Sequence, residues 1–323
     1  MHLTAEQLRA AQDVVYRHIA PTPQYAWPLL ADELGAEVWV KHENATPIGA
    51  FKVRGGLVYV DRLRSERPQV NGIVSATRGN HGQSLAYAGR AYQLPVVIVV
   101  PERNSVEKNA AMRAFGAEVL VEGRDFQAAR EHSVRVADER CFEVVPPFHP
   151  DLAAGVATYA SELFGAVDAL DAVYVPVGMG SGINGVIGVR DLLGARTEIV
   201  GVVTNNAPAT ALSHQARTPI NTDEAPTFVD GVACRQPDPA ALESIYDGAA
   251  RIVTVSEGEV ASAMRLMFRA THHLPEPAGA IALAGLVAER DRQRAKRVAV
   301  ILTGANMDTG MAADVLAGAT PCP

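Results

Sequence analysis

Cysteine is scarce in this 323-residue chain: Cys141, Cys234 and Cys322 stand far apart, with no metal-ligand spacing. They read as reduced thiols of a cytoplasmic protein. Basic charge is not in excess either. The 29 Lys and Arg are outnumbered by 36 Asp and Glu, for a formal net charge of −7. A nucleic-acid partner therefore has no electrostatic support. No apolar run approaches the length of a bilayer crossing, and the N-terminus lacks a signal-peptide pattern, so no membrane partner is expected. Internal repeats and low-complexity tracts are absent.

What remains is an ordinary globular composition, 48% hydrophobic and 20% charged, on a chain long enough for about two domains and a sizeable core. Thr4 to Ile19 reads as an amphipathic helix, with Thr4 as its N-cap and Leu8, Ala11, Val14 and Val15 on one face. Thr22-Pro23 forces an extended stretch, and a second helix ends near Gly35. Short apolar runs follow at Glu37–His42, Gly72–Ala76, Val96–Val100, Glu118–Val121, Ala172–Val177, Glu198–Val203, Arg251–Val255 and Arg297–Leu302. Most do not alternate, as expected of strands buried on both faces of parallel sheets. Helical stretches lie between them, among them Gln83–Tyr92, Ser105–Phe115 with Gly116 as its stop, and Asp125–Glu139. The rhythm predicts a doubly wound α/β fold.

The unusual residues fall directly after strands, and in open parallel sheets ligands bind beyond the carboxyl ends, so one crevice is expected to collect these loops. Val177 leads into Gly178-Met179-Gly180-Ser181-Gly182 and a helical run; inward N–H groups and a helix N-terminus suit a phosphate. Thr77-Arg78-Gly79-Asn80-His81-Gly82 sets a hydroxyl, an amide and free N–H groups before a helix, which suits a carboxylate. A turn that only caps the helix is the plainer alternative. Lys52, behind Gly49-Ala50-Phe51 at a strand-to-helix corner, sits where it can be held partly out of water. Burial lowers an amine's pKa and prepares it to form a Schiff base; a surface lysine opening an amphipathic helix is the alternative.

In combination these stretches resemble the serine/threonine dehydratase family, pyridoxal-phosphate (PLP) enzymes of fold-type II, the tryptophan synthase β-like fold. The likeness runs from Pro21 to about Asp308. It implies two doubly wound domains with parallel-type sheets and the active site between them: residues 1–50 with 151–323 as the large PLP-binding domain, and 51–150 as a small inserted αβ domain. Lys52 resembles the lysine that carries the cofactor, with Phe51 beside it. Residues 178–182 resemble the phosphate-binding glycine loop, interrupted here by Met179, expected to contribute only backbone, and by Ser181, whose hydroxyl can donate to phosphate. The stretch with Thr77, Gly79, Asn80 and His81 resembles the family's S-x-G-N-H-G loop. Thr77 and Asn80 would then touch the substrate carboxylate, and Asn80 the cofactor's phenolic oxygen. Thr303-Gly304-Ala305-Asn306 resembles S-G-G-N, which would set Thr303 against the pyridine nitrogen. A neutral hydroxyl there makes the ring a weaker electron sink and favours β-elimination over transamination. Glu276-Pro277-Ala278-Gly279-Ala280 resembles E-P-x-G-A, leaving Glu276 either near the cofactor or capping the following helix, Ile281–Asp291. Asp230-Gly231-Val232-Ala233 resembles another crevice segment, of open role.

The departures matter as much. Arg78 stands where serine racemases of the family have an acid/base serine. An arginine stays protonated, so two-base racemisation is not expected; Arg78 binds a carboxylate or makes a structural salt bridge. Val203-Thr204-Asn205-Asn206 lacks the glutamate that helps some relatives bind a divalent cation, so no metal is expected there. The likeness ends close to the last residue of the sequence, so the regulatory domain of biosynthetic threonine deaminases, and control by isoleucine with it, is not expected. The family implies a homodimer. The implied reaction is β-elimination from an amino acid such as L-threonine or L-serine, giving a 2-oxo acid and ammonia. Ala50, Arg78 and the altered glycine loop point to a divergent branch, with phenylserine or 3-hydroxyaspartate as alternative substrates. A racemase or β-replacement enzyme on the same fold, or a binding protein that has lost the chemistry, are the rivals.

Overall fold

The computed structural model describes residues 3–124 and 126–322; Asp125, where the third of the helices named above was expected to start, lies outside the described residues. Among these residues ten strands form two sheets: β1 (Gln24–Ala26), β2 (Glu37–His42), β3 (Ile73–Ala76), β4 (Val96–Val100), β5 (Glu118–Val121), β6 (Glu143–Val144), β7 (Ala172–Pro176), β8 (Glu198–Thr204), β9 (Arg251–Val255) and β10 (Arg297–Leu302). The first sheet runs β1-β2-β10-β7-β8-β9 and the second β5-β4-β3-β6. Every pairing is parallel except β1 with β2. All eight predicted apolar runs are strands, and Val96–Val100 is buried from end to end. The two unpredicted strands are short: β1 has three residues on the sheet edge and β6 has two, too few to leave a pattern.

Local rules account for the helix ends. Thr4 caps the helix Ala5–Val15 in a reciprocal box, its Oγ accepting from the Gln7 N–H at 3.1 Å while the Gln7 side-chain oxygen accepts from the Thr4 N–H at 2.9 Å. That helix ends four residues short of Ile19. Gly116, at φ +103°, follows the helix Val106–Ala114 as expected.

The strand order positions the site. From β7 the chain moves outward to β8 and β9, and β10 then returns to the other side of β7. In the second sheet β3 leads to β4 and β5, and β6 pairs on β3's other side. These are the two switch points, where crossovers diverge and leave a crevice beyond the strand ends. The loops after β3, β7 and β10 open there.

The helices Lys52–Glu66 and Pro150–Ala166 pack in backbone contact. A Cβ on Gly55 would meet the Leu152 carbonyl oxygen at 2.7 Å, and one on Gly155 would meet the Arg54 carbonyl oxygen at 2.3 Å. A buried ionic network crosses this seam. Arg54 bonds Glu43 at 2.7 Å and Glu162 at 2.6 Å, and Lys41 bonds Glu162 at 2.6 Å. Thr22 and Thr158 complete its partners. Burial would raise the Glu162 carboxyl, but Arg54 and Lys41 outweigh it and hold the group below the usual range. Among the described residues no helix is long and apolar enough to cross a membrane.

Candidate active site

Lys52 is the first residue of the helix Lys52–Glu66, with Phe51 as N-cap. The corner is held by the loop after β10. The Phe51 N–H donates to the Thr303 carbonyl at 2.9 Å, the Ala305 N–H to the Gly49 carbonyl at 3.0 Å, and Ala50 pairs with Gly304. The Lys52 Nζ lies 3.2 Å from the Ser181 Oγ and 5.0 Å from the centre of the Phe51 ring. Desolvation pulls this amine down to about 8, against the opposing charge of Glu276. A surface lysine would not be so shifted.

Beyond β7, Gly180 adopts φ +97° and caps the helix Ser181–Leu192, a conformation that an L side chain rarely takes. A Cβ on Gly178 would collide with the Gly231 carbonyl oxygen at 2.3 Å. The Asn184 amide ties the turn down by donating to the carbonyls of Gly180 at 2.9 Å and Ala241 at 3.1 Å. Met179 packs on Phe148, Ala153 and Ala241, with its sulfur 3.6 Å from that of Cys234. Its side chain is thus committed to packing. N–H groups at a helix N-terminus, a turn only glycine makes, and a desolvated amine beside a hydroxyl together fit a phosphate-bearing cofactor that bonds to lysine.

After β3, buried Thr77 accepts the Gly79 N–H on its hydroxyl at 3.2 Å. The helix Asn80–Ala91 begins three residues before the predicted Gln83, with Gly79 as N-cap. Asn80 makes no capping bond. Its amide donates to Glu276 Oε1 at 2.6 Å and accepts from Asn306 Nδ2 at 2.9 Å. The Asn80 side chain is thus turned to these partners and does not cap the helix. Burial and the nearby Lys52 charge drive His81 down to about 3, so its ring is neutral, with a buried Nε2 that has no partner among the described residues.

Glu276 precedes the helix Pro277–Ala288, which starts four residues before the predicted Ile281, and makes no capping bond either. It is 1% exposed. Burial pushes its carboxyl up to about 7, partly offset by the Lys108 charge. Lys108, from the helix Val106–Ala114, bonds Asp230 at 2.5 Å. Burial opposes the charge on Lys108, but Asp230 and Glu276 outweigh it and hold its pKa above the usual value. Nothing in the sequence singled out Lys108, and the partner of Asp230 was open. Asn306 was visible only as the end of the T-G-A-N stretch. The Thr303 hydroxyl is buried and donates to the Ala278 carbonyl at 3.1 Å.

Arg78 stands apart. It is exposed, and its guanidinium has no hydrogen bond or ion pair among the described residues. The structural salt bridge considered for it is not formed there.

Known proteins resemble this chain in sequence and fold. Residues 15–304 match the family described as pyridoxal-phosphate dependent enzymes. The chain is 30% identical over 310 residues to the L-threonine ammonia-lyase of Thermotoga maritima, covering 96% of this chain and 77% of that protein. It is also 30% identical over 298 residues to an L-threo-3-hydroxyaspartate ammonia-lyase of Pseudomonas sp, covering 92% and 93%. Among solved structures it resembles the processed form of threonine deaminase isoform 2 from Solanum lycopersicum, with a TM-score of 0.89, 26% identity, and coverage of 98% and 95%. The chain belongs to the family of pyridoxal-phosphate dependent enzymes. Its fold is that of fold-type II, as the sequence led one to expect.

Proposed function

We propose that this enzyme is an ammonia-lyase that eliminates water from a β-hydroxy amino acid such as L-threonine or L-serine and yields a 2-oxo acid and ammonia. The desolvated Lys52 amine, 3.2 Å from the Ser181 hydroxyl at a helix N-terminus, carries this reading. The named activities of the Thermotoga and Pseudomonas relatives support it. When bound, the cofactor withdraws electrons from the substrate's α-carbon and so acidifies the α-proton.

The chain's own groups have the remaining tasks. Lys52 holds the cofactor and then takes the α-proton as general base; an amine poised near 8 suits that exchange at neutral pH. Backbone N–H groups of Gly178 to Gly182 and the Ser181 hydroxyl hold the phosphate, and Phe51 lines the same corner. Thr77, Gly79, Asn80 and the neutral His81 receive the substrate carboxylate at the start of the helix Asn80–Ala91. Thr303 faces the pyridine nitrogen and Glu276 backs Asn80. The α-proton and the β-hydroxyl are together lost as one water, and the enamine left behind takes up one water to give the 2-oxo acid and ammonia.

Residues 1–50 with 151–323 act as the large domain and 51–150 as the small one, a division favoured by the separate sheets. A homodimer and a cytoplasmic location complete the proposal. A second reading, 3-hydroxyaspartate as substrate, is favoured by the unpaired Arg78 guanidinium, which could take a second carboxylate.

The test is 2-oxo acid release from L-threonine, L-serine, phenylserine and 3-hydroxyaspartate with PLP present. Turnover of one member establishes elimination and names the substrate. Silence across the panel in a protein that still binds PLP contradicts the lyase reading in favour of racemase or β-replacement chemistry.

A further inference from the structure

The Ile48 backbone carbonyl fixes the orientation of two side-chain amides in succession. A carbonyl only accepts hydrogen bonds, so the Asn306 atom 2.7 Å from it is the amide nitrogen. That nitrogen's other N–H reaches Asn80 Oδ1 at 2.9 Å. The Asn80 oxygen therefore faces Asn306, and its nitrogen faces Glu276 Oε1 at 2.6 Å. Both amide ambiguities vanish in this way, because flipping either asparagine would oppose acceptor to acceptor or donor to donor.

The chain is built closely. Gly49 and Gly304 make room for it: a Cβ on the first would meet Asn306 Oδ1 at 2.9 Å, and one on the second would meet Glu276 Oε1 at 2.6 Å. Glu276 Oε2 is buried with no partner among the described residues, so no second donor competes with Asn80 for the carboxyl. Of the two N–H groups on Asn80, one is spent on Glu276 and one is uncommitted.

We infer that Asn306 is a positioning residue: it reads the Ile48 carbonyl and sets the Asn80 amide so that Asn80 offers a donor, not an acceptor, to what occupies the crevice. This rests on the proposed function and on the expectation, implied by the family resemblance, that Asn80 touches the bound cofactor's phenolic oxygen. Asn306 itself acts only through Asn80.

The test uses the full chain, stripped of cofactor and titrated with PLP, and follows the visible absorbance of the bound cofactor and the pH midpoint of its colour change. Asn80→Ala, Asn306→Ala and the double variant are compared, after circular dichroism shows that each folds. Asn306→Ala weakens PLP binding by roughly three- to tenfold, the size of one hydrogen bond. It shifts the midpoint in the same direction as Asn80→Ala, and the double variant adds nothing further. Additive effects, or a midpoint that Asn306→Ala leaves in place while Asn80→Ala moves it, overturn the positioning role alone. A midpoint that Asn80→Ala itself does not move overturns the Asn80 reading and the inference with it. Asn306→Asp, equal in size but unable to donate, replaces Asn306→Ala should that variant misfold, with the same expected shift.

Discussion

The Lys52 Nζ and the Ser181 Oγ stand 3.2 Å apart, one from the corner after β2 and the other from the helix start after β7. This contact joins the amine to the phosphate-type loop and spans the two strands, β2 and β7, that flank β10 in the large sheet. The proposed role of Ser181 follows from it. Ser181→Ala leaves the fold intact and weakens PLP binding by roughly three- to tenfold, as loss of one hydrogen bond would. Fluorescence titration of the cofactor-free protein checks this; an unaltered affinity contradicts the role.

Glu276 makes stability depend on pH. Its carboxyl is raised to about 7 by burial, so between the ordinary carboxylate value and about 7 the folded state binds more protons than the unfolded one. Its stabilising contribution is complete below about 4.5 and is lost as pH rises through 7, a change on the order of 3 kcal/mol. Cofactor-free Glu276→Gln lacks this slope. Urea unfolding from pH 4.5 to 8 should show the variant gaining on the native protein across that window, whereas parallel curves would argue that Glu276 is ionised throughout.

Arg54 has the opposite logic. It is fully buried among Glu43, Glu162 and two threonines. Arg54→Met leaves Glu43 buried without its cation and Glu162 with Lys41 alone, and costs about 3–5 kcal/mol. The urea midpoint at pH 7 measures this, and a loss under about 1 kcal/mol, the ordinary worth of an exposed pair, would show that solvent reaches the network.

Arg78→Ala separates the two substrate readings. If the guanidinium takes a second carboxylate, kcat/KM for 3-hydroxyaspartate falls about 10- to 100-fold while that for L-threonine changes little. Equal losses on both substrates would assign Arg78 to the α-carboxylate common to them.

Much of this was legible in the sequence because the signals were local. A buried parallel strand such as Val96–Val100 needs only a continuous apolar run, and Thr4 before a one-sided apolar pattern announces a helix start. Lys52, Asn80 and the glycine loop were found because each follows a strand. Three things escaped. Asn-His-Gly looks like a loop because asparagine competes with the helix backbone, but the Asn80 side chain is engaged by Glu276 and Asn306, and the helix starts there. Glu276 was open between the cofactor and a helix cap, and only tertiary contact reveals that it faces Asn80. The pairs Lys41–Glu162 and Lys108–Asp230 join residues more than a hundred positions apart, a distance at which no periodicity speaks.

The chain has four lysines, Lys41, Lys52, Lys108 and Lys296. Lys41 and Lys108 are ion-paired to Glu162 and Asp230; Lys52 has a hydroxyl and a ring as neighbours. Borohydride reduction of the PLP-loaded protein, followed by digestion and mass spectrometry, fixes the cofactor to the lysine that carries it. The account predicts the added pyridoxyl mass on the peptide containing Lys52 and its absence in Lys52→Ala. Label on Lys41, Lys108 or Lys296, or none at all in a coloured protein, would contradict it.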